Sequence, residues 1–161
     1  MAKFETAYLF TFDNEGGYQD GKNDYGGETK YGISRRWFPN EDIKNLTPER
    51  AKHLLKIEFW DRLRLQELNY QTLANHVFDM SVNAGGKDGV NYLQLACVFC
   101  GKEVKIDGII CPKTLAAANS VAGAWITDRY RVERVKHYLR QITIDKNQLS
   151  KIQSWLRRAT A

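Results

Sequence analysis

Three side chains in the first thirty residues have the types and spacing for acid–base work: Glu15, Asp24 and Thr29. Glu15 follows an apolar helical pattern and precedes Gly16-Gly17, so its carboxyl is expected against Phe12 and nearby tyrosines. Lost hydration raises the pKa of a carboxyl, and a general acid working near neutral pH needs that rise. Asp24 sits among polar residues and is expected to stay ionised. Cleavage of a glycosidic bond uses such a contrasting pair: one carboxyl protonates the leaving oxygen, while the other serves a water or the cationic ring carbon. Thr29 adds a neutral hydroxyl that could hold that water. Glycines 16, 17, 26 and 27 would let a polymer approach the backbone, and Tyr18, Tyr25, Tyr31 and Trp37 offer flat faces for sugar rings. The same stretch admits plainer readings. A glutamate at a helix end is commonly a surface residue. Asp20, Asp24 and Glu28 lack the twelve-residue calcium-loop spacing, and no Gly-Lys-Ser/Thr follows the glycines to make a phosphate loop.

The elements that must position these groups are helical. Phe4, Tyr8, Leu9 and Phe12 recur at helical spacing and predict an amphipathic helix over 3–14, ended by Gly16-Gly17. Six of the twelve glycines fall between Gly16 and Gly32, which predicts a loop or a short hairpin. Thr47-Pro48-Glu49 reads as N-cap, first helical position and dipole-complementing acid of a second helix, with Ala51, Leu54, Leu55 and Phe59 on its apolar face. A third helix is predicted over 72–84, stopped by Gly85-Gly86. His76, Asp79 and Asn83 share one stripe on it, equally a solvated face or a cleft wall. Further helices are expected over about 90–99, 113–119 after Pro112, 124–142 and 146–158. No repeat and no convincing central strand is present.

At 161 residues, with 43% hydrophobic, 12% aromatic and 27% charged residues, the chain can build its own core, which excludes a disordered or low-complexity protein. No apolar run is long enough to span a bilayer, and Met1-Ala-Lys-Phe-Glu5 lacks the regions of a secretory signal. The three cysteines suggest synthesis in a reducing compartment. Cys97-x-x-Cys100 lacks a second ligand pair for zinc and reads as two thiols packed in an apolar helix. The net charge of +5 is uneven: residues 113–161 carry 10 basic against 3 acidic side chains, the preceding 112 carry 14 against 16. The basic third should meet an anionic partner.

Beyond this residue-level reading, Glu15-Gly-Gly-Tyr18 followed by Asp24-Tyr-Gly-Gly-Glu-Thr29-Lys-Tyr31-Gly-Ile33-Ser resembles the signature of glycoside hydrolase family 108, bacterial and phage N-acetylmuramidases that cut peptidoglycan. Leu46-Thr47, Phe59-Trp60-Asp61 and Phe78-Asp79-Met-Ser-Val-Asn83-Ala-Gly85 look like later family blocks in order. Past Tyr92-Leu-Gln94, Val104 to Leu115 is similar to the small helical peptidoglycan-binding region of these enzymes. Two departures stand out: Asp20-Gly21-Lys22 where many members have a proline, and Cys111 where a glycine usually precedes Pro-x-Thr.

The resemblance implies an all-α, mainly helical, lysozyme-like fold with a glycine-rich loop or short hairpin after the first helix. It implies a catalytic region over 1–90 and a peptidoglycan-binding-like helical region over 91–161, packed as one unit. By the same likeness Glu15 is the catalytic acid. Asp24 and Thr29 complete a trio similar to that of phage-type lysozymes, where the last gap is one residue longer. Tyr18, Tyr31, Asp79 and Asn83 would bind substrate, the last two as a second cleft wall. The implied reaction is hydrolysis of the β-1,4 bond between N-acetylmuramic acid and N-acetylglucosamine, with no cofactor and no metal. Expected partners are peptidoglycan and, through the basic C-terminal helices, anionic envelope polymers, with no nucleic acid, no stable membrane insertion and a monomeric state. The expected biology is a phage endolysin made in the bacterial cytoplasm without a signal peptide and acting on the wall after release. A non-catalytic wall-binding or secretion-activating module and a lytic transglycosylase are the competing readings.

Overall fold

The computed structural model describes residues 1–12 and 28–161. Glu15, Tyr18, Asp24 and the glycine-rich run around them lie outside the described residues. The fold is mainly helical. Among the described residues, α1 (Phe4–Phe12) is followed by a minimal hairpin, β1 (Thr29–Lys30) and β2 (Ile33–Ser34), then α2 (Pro48–Leu55), α3 (Gln71–Ala84), α4 (Gly86–Phe99), α5 (Pro112–Asn119), α6 (Gly123–Ile144) and α7 (Ile152–Thr160).

Local chemistry sets most of the boundaries. Thr47 caps α2, its Oγ1 accepting from Arg50 N at 3.2 Å, and Pro48 fills the first helical position. α2 runs on into a π-helical turn over Lys56–Asp61, whose wider winding lets both Phe59 and Trp60 face inward. Gly85 at φ +98° ends α3 and starts α4 at once, so α4 begins four residues earlier than the hydrophobic pattern suggests. Pro112 opens α5, and residues 146–151 form a 3-10 segment ahead of α7 where one continuous helix was expected.

The central helix is α3, buried at every position from Leu73 to Val82. It packs against α1, α4 and α6, and α7 packs on α6. Phe4, Trp60 and Phe78 meet edge to face at 5.6–6.0 Å, and one continuous buried cluster runs from Ala2 to Ala159. α3 and α4 approach so closely that a Cβ on Gly89 would collide with Ser81. Cys97 lies in this core, where burial pushes its thiol up to about 12, consistent with a packed rather than a reactive sulfur. No helix among the described residues is long and apolar enough to cross a membrane.

Candidate functional site

Thr29 and Tyr31 sit on the hairpin. Thr29 pairs with Ser34 and Lys30 with Ile33, leaving Tyr31-Gly32 as a two-residue loop with positive φ at both positions, 52° and 75°. Those signs define the turn whose twist matches two paired strands. Glycine adopts it freely; a tyrosine does so only when its surroundings hold it. Arg35 supplies part of that hold by pairing with Glu28 at 2.8 Å and donating to Glu41 O at 2.8 Å, which closes the base of the hairpin. Lys30 Nζ lies 5.4 Å from the Tyr31 ring centre and donates to Lys44 O.

The hairpin docks at the C-terminal end of α3, where a Cβ on Gly32 would touch Val82 and Leu55. Asn83 follows Val82 with its side chain exposed, its Nδ2 donating back to Asp79 O at 3.0 Å. Trp37, half-exposed, packs against Gly85, where a Cβ would come within 2.6 Å of the indole, and Arg36 stands over the same ring at 5.4 Å. Gly32 and Trp37 thus touch the C-terminal end of α3, where Asn83 lies, and Thr29 and Tyr31 belong to the same hairpin as Gly32. Glu15, Tyr18 and Asp24 are outside the described residues.

Asp79 departs from the cleft-wall expectation. Its carboxylate has no exposure: Oδ1 accepts from Arg158 Nη2 at 2.7 Å, and Oδ2 accepts from Arg134 Nη2, with Arg134 itself fully buried. No surface of Asp79 is left for a sugar. Its neighbour on the stripe, His76, is equally buried, with Arg131 Nε at 3.0 Å from Nε2, Arg134 Nη1 at 2.6 Å from Nδ1 and Phe10 edge-on to the ring at 5.2 Å. Burial, then the adjacent Arg134 and Arg131 charges, drive the imidazole down to about 3, so it stays neutral. The His76 and Asp79 part of the stripe therefore faces neither solvent nor a cleft but α6 and α7, while Asn83 at its C-terminal end stays exposed. One signal pointed there: a carboxylate amid Val77, Phe78, Met80 and Val82 needs a cationic partner before it can be buried. Nothing in the sequence said which of the ten C-terminal cations supplied it.

The C-terminal half repeats this economy of polar groups at a turn. Gln94, buried in α4, accepts at Oε1 from the backbone N–H of Asp107 and Gly108 (3.0 and 2.9 Å) and donates from Nε2 to Asp107 Oδ1 and Ile109 O, each at 3.0 Å. One side chain thus fixes the Asp107-Gly108 turn, with Gly108 at φ +72°. The Ile109 backbone N–H, donating to Asp107 Oδ1 at 2.9 Å, and then the Gln94 amide hold the Asp107 carboxyl below the usual carboxylate range. Cys111, at the N-cap of α5, contacts Thr114 Oγ1 at 3.5 Å, which lowers its thiol pKa.

A helical core with a small hairpin at one end and a basic helical region packed on the same central helix defines a mainly helical protein. Residues 8–85 match the family model described as Glycosyl hydrolase 108, and residues 88–160 match the one described as Predicted Peptidoglycan domain. The chain therefore carries a glycosyl hydrolase 108 region followed by a peptidoglycan domain, and it is a glycosidase that acts on peptidoglycan. It is similar to the solved structure of SagA from Brucella abortus, at 25% sequence identity and a TM-score of 0.76, over 98% of this chain and 93% of that one. No curated protein matches the chain.

Proposed function

We propose that this protein is an N-acetylmuramidase that hydrolyses the β-1,4 bond between N-acetylmuramic acid and N-acetylglucosamine. The observation that carries the reading is the tandem match: a glycosyl hydrolase 108 region that contains Glu15, Asp24 and Thr29, joined to a peptidoglycan domain. In this reading Glu15 protonates the leaving oxygen. Asp24 supports the positive charge at the anomeric carbon or directs water to it, and Thr29 helps place that water. Tyr18, Tyr31 and Asn83 contact the glycan. The hairpin that carries Thr29 and Tyr31 supports this by touching, through Gly32, Val82 next to the exposed Asn83. We divide the chain into a catalytic region over 1–90 and a wall-binding region over 91–161, and take the protein to act as an endolysin on the wall from a cytoplasmic site of synthesis.

Mass spectrometry of muropeptides released from purified sacculi tests the reading. The wild type should release products ending in reducing N-acetylmuramic acid, and Glu15→Gln should release none while keeping its helical circular dichroism. Anhydromuramic ends would replace hydrolysis by transglycosylation. No release by either protein would leave only a wall-binding module.

A further inference from the structure

The outer face of the C-terminal region carries a feature that the cleavage chemistry does not use. Trp125, Arg129, Val132 and Lys136 recur at four-, three- and four-residue steps along α6 and form one stripe, which Phe99 joins from the last position of α4. The guanidinium of Arg129 lies 4.7 Å from the Trp125 ring centre and 5.9 Å from that of Phe99, and Lys136 Nζ lies 5.1 Å from Phe99. The result is a ladder of ring, cation, ring, cation. Phe99 and Trp125 are each about half exposed, and Val132 on the same stripe is 42% exposed. Leaving two large aromatic rings and a valine in water on one face is unfavourable for a free surface and common for a binding one.

Charge pairing narrows what that face can hold. Along this stretch Arg131 pairs with Asp128, Arg134 with Asp79 and Lys136 with Glu133. Arg129 makes no ion pair with any described residue, and its planar fork is held in place by two aromatic contacts. A pre-oriented guanidinium without an internal carboxylate suits a carboxylate brought by a ligand, which it can bind through two parallel N–H donors. The flanking rings suit apolar faces of sugars or alkyl side chains.

We infer that the Phe99–Trp125–Arg129–Lys136 ladder is a peptidoglycan-docking face that grips a stem-peptide carboxylate at Arg129 while the rings hold the adjoining chain. The inference rests on peptidoglycan being the polymer this protein acts on. It adds the part of that polymer recognised away from the bond that is cut.

Cosedimentation of the whole chain on ice separates the possibilities, using intact purified sacculi and sacculi whose stem-peptide carboxylates have been amidated with carbodiimide and ammonia. The wild type should bind amidated sacculi about tenfold more weakly than intact ones. Arg129→Gln and Trp125→Ala should each lose about tenfold on intact sacculi, with melting temperatures near that of the wild type. Arg129→Lys, which keeps the charge and loses the fork, should fall between. Arg140→Gln removes the same charge one turn beyond Lys136, from a guanidinium that stacks on no ring among the described residues, and should stay within twofold. Equal binding to amidated and intact sacculi overturns the inference and needs no variant to do so. Equal losses in Arg140→Gln and Arg129→Gln overturn it in favour of diffuse charge. Tighter binding to vesicles of anionic phospholipid than to intact sacculi assigns the face to a membrane surface instead. A wrong assignment of the cleaved bond would show in the muropeptides and leave this comparison standing.

Discussion

Asp79→Asn separates a structural carboxylate from a substrate-binding one. The replacement keeps the volume, so no cavity enters the balance; what changes is that Arg134 and Arg158, both buried, lose their shared counter-charge. The amide also presents N–H to one guanidinium that formerly met an acceptor. Breaking a buried pair by removing one partner costs about 3–5 kcal/mol, because the remaining charge stays out of water. For a domain of this length each kcal/mol moves the melting temperature by about 2–4 °C, so the midpoint should fall on the order of 6–20 °C. Thermal melts followed at 222 nm read this directly. At a temperature where both proteins are folded, sacculus binding and muropeptide release should remain within about threefold of wild type. Replacing the whole cluster with apolar side chains, Asp79→Leu with Arg134→Met and Arg158→Met, should recover most of the loss, since apolar substitutes of similar volume are often neutral or better. A variant that melts within about 2 °C of wild type yet no longer cuts or binds would refute the structural assignment and return Asp79 to the cleft.

Two further perturbations test the surrounding framework. Folding holds His76 at about 3 against an unfolded value near 6.5, so the unfolded chain takes up a proton that the folded chain refuses. Stability from this residue is therefore complete above about pH 6.5 and declines as pH falls toward 3, by about 2 kcal/mol at pH 5 at roughly 1.36 kcal/mol per unit. Urea midpoints at pH 7.5 and pH 5 should diverge in the wild type, and the gap should shrink in His76→Gln. Equal gaps would show that other groups carry the acid sensitivity. Gln94→Leu strips the Asp107-Gly108 turn of both side-chain acceptor bonds and both donor bonds and should cost about 2–3 kcal/mol, with hydrogen exchange accelerated first at Asp107, Gly108 and Ile109. Uniform acceleration along α4 would instead indicate a core packing role.

Signals confined to a few neighbouring residues were readable from the chain alone. Thr47-Pro48 announced α2, Pro112 announced α5 and Gly85 marked the end of α3, since each acts through its own dihedral angles or a bond to the next turn. The absence of long alternating segments correctly implied a helical fold, and the glycines before Ile33 are followed by a two-residue-strand hairpin. The Glu15-to-Ser34 block and the later blocks identified the glycoside hydrolase region that the family match bears out.

Tertiary structure alone decided where the polar stripe of α3 points. Spacing places His76, Asp79 and Asn83 on one side of a helix, and that periodicity is the same whether the side meets water, substrate or another helix. Asp79 is claimed by Arg134 and Arg158, 55 and 79 residues away, and no local rule links a carboxylate to cations so distant. The same folding step removed Arg134 and Arg158 from the surface and left Arg129 beside Trp125 and Phe99. Sequence fixes how many charges a helix carries and at what angle; which of them are neutralised inside and which are offered to a partner depends on what packs across from them.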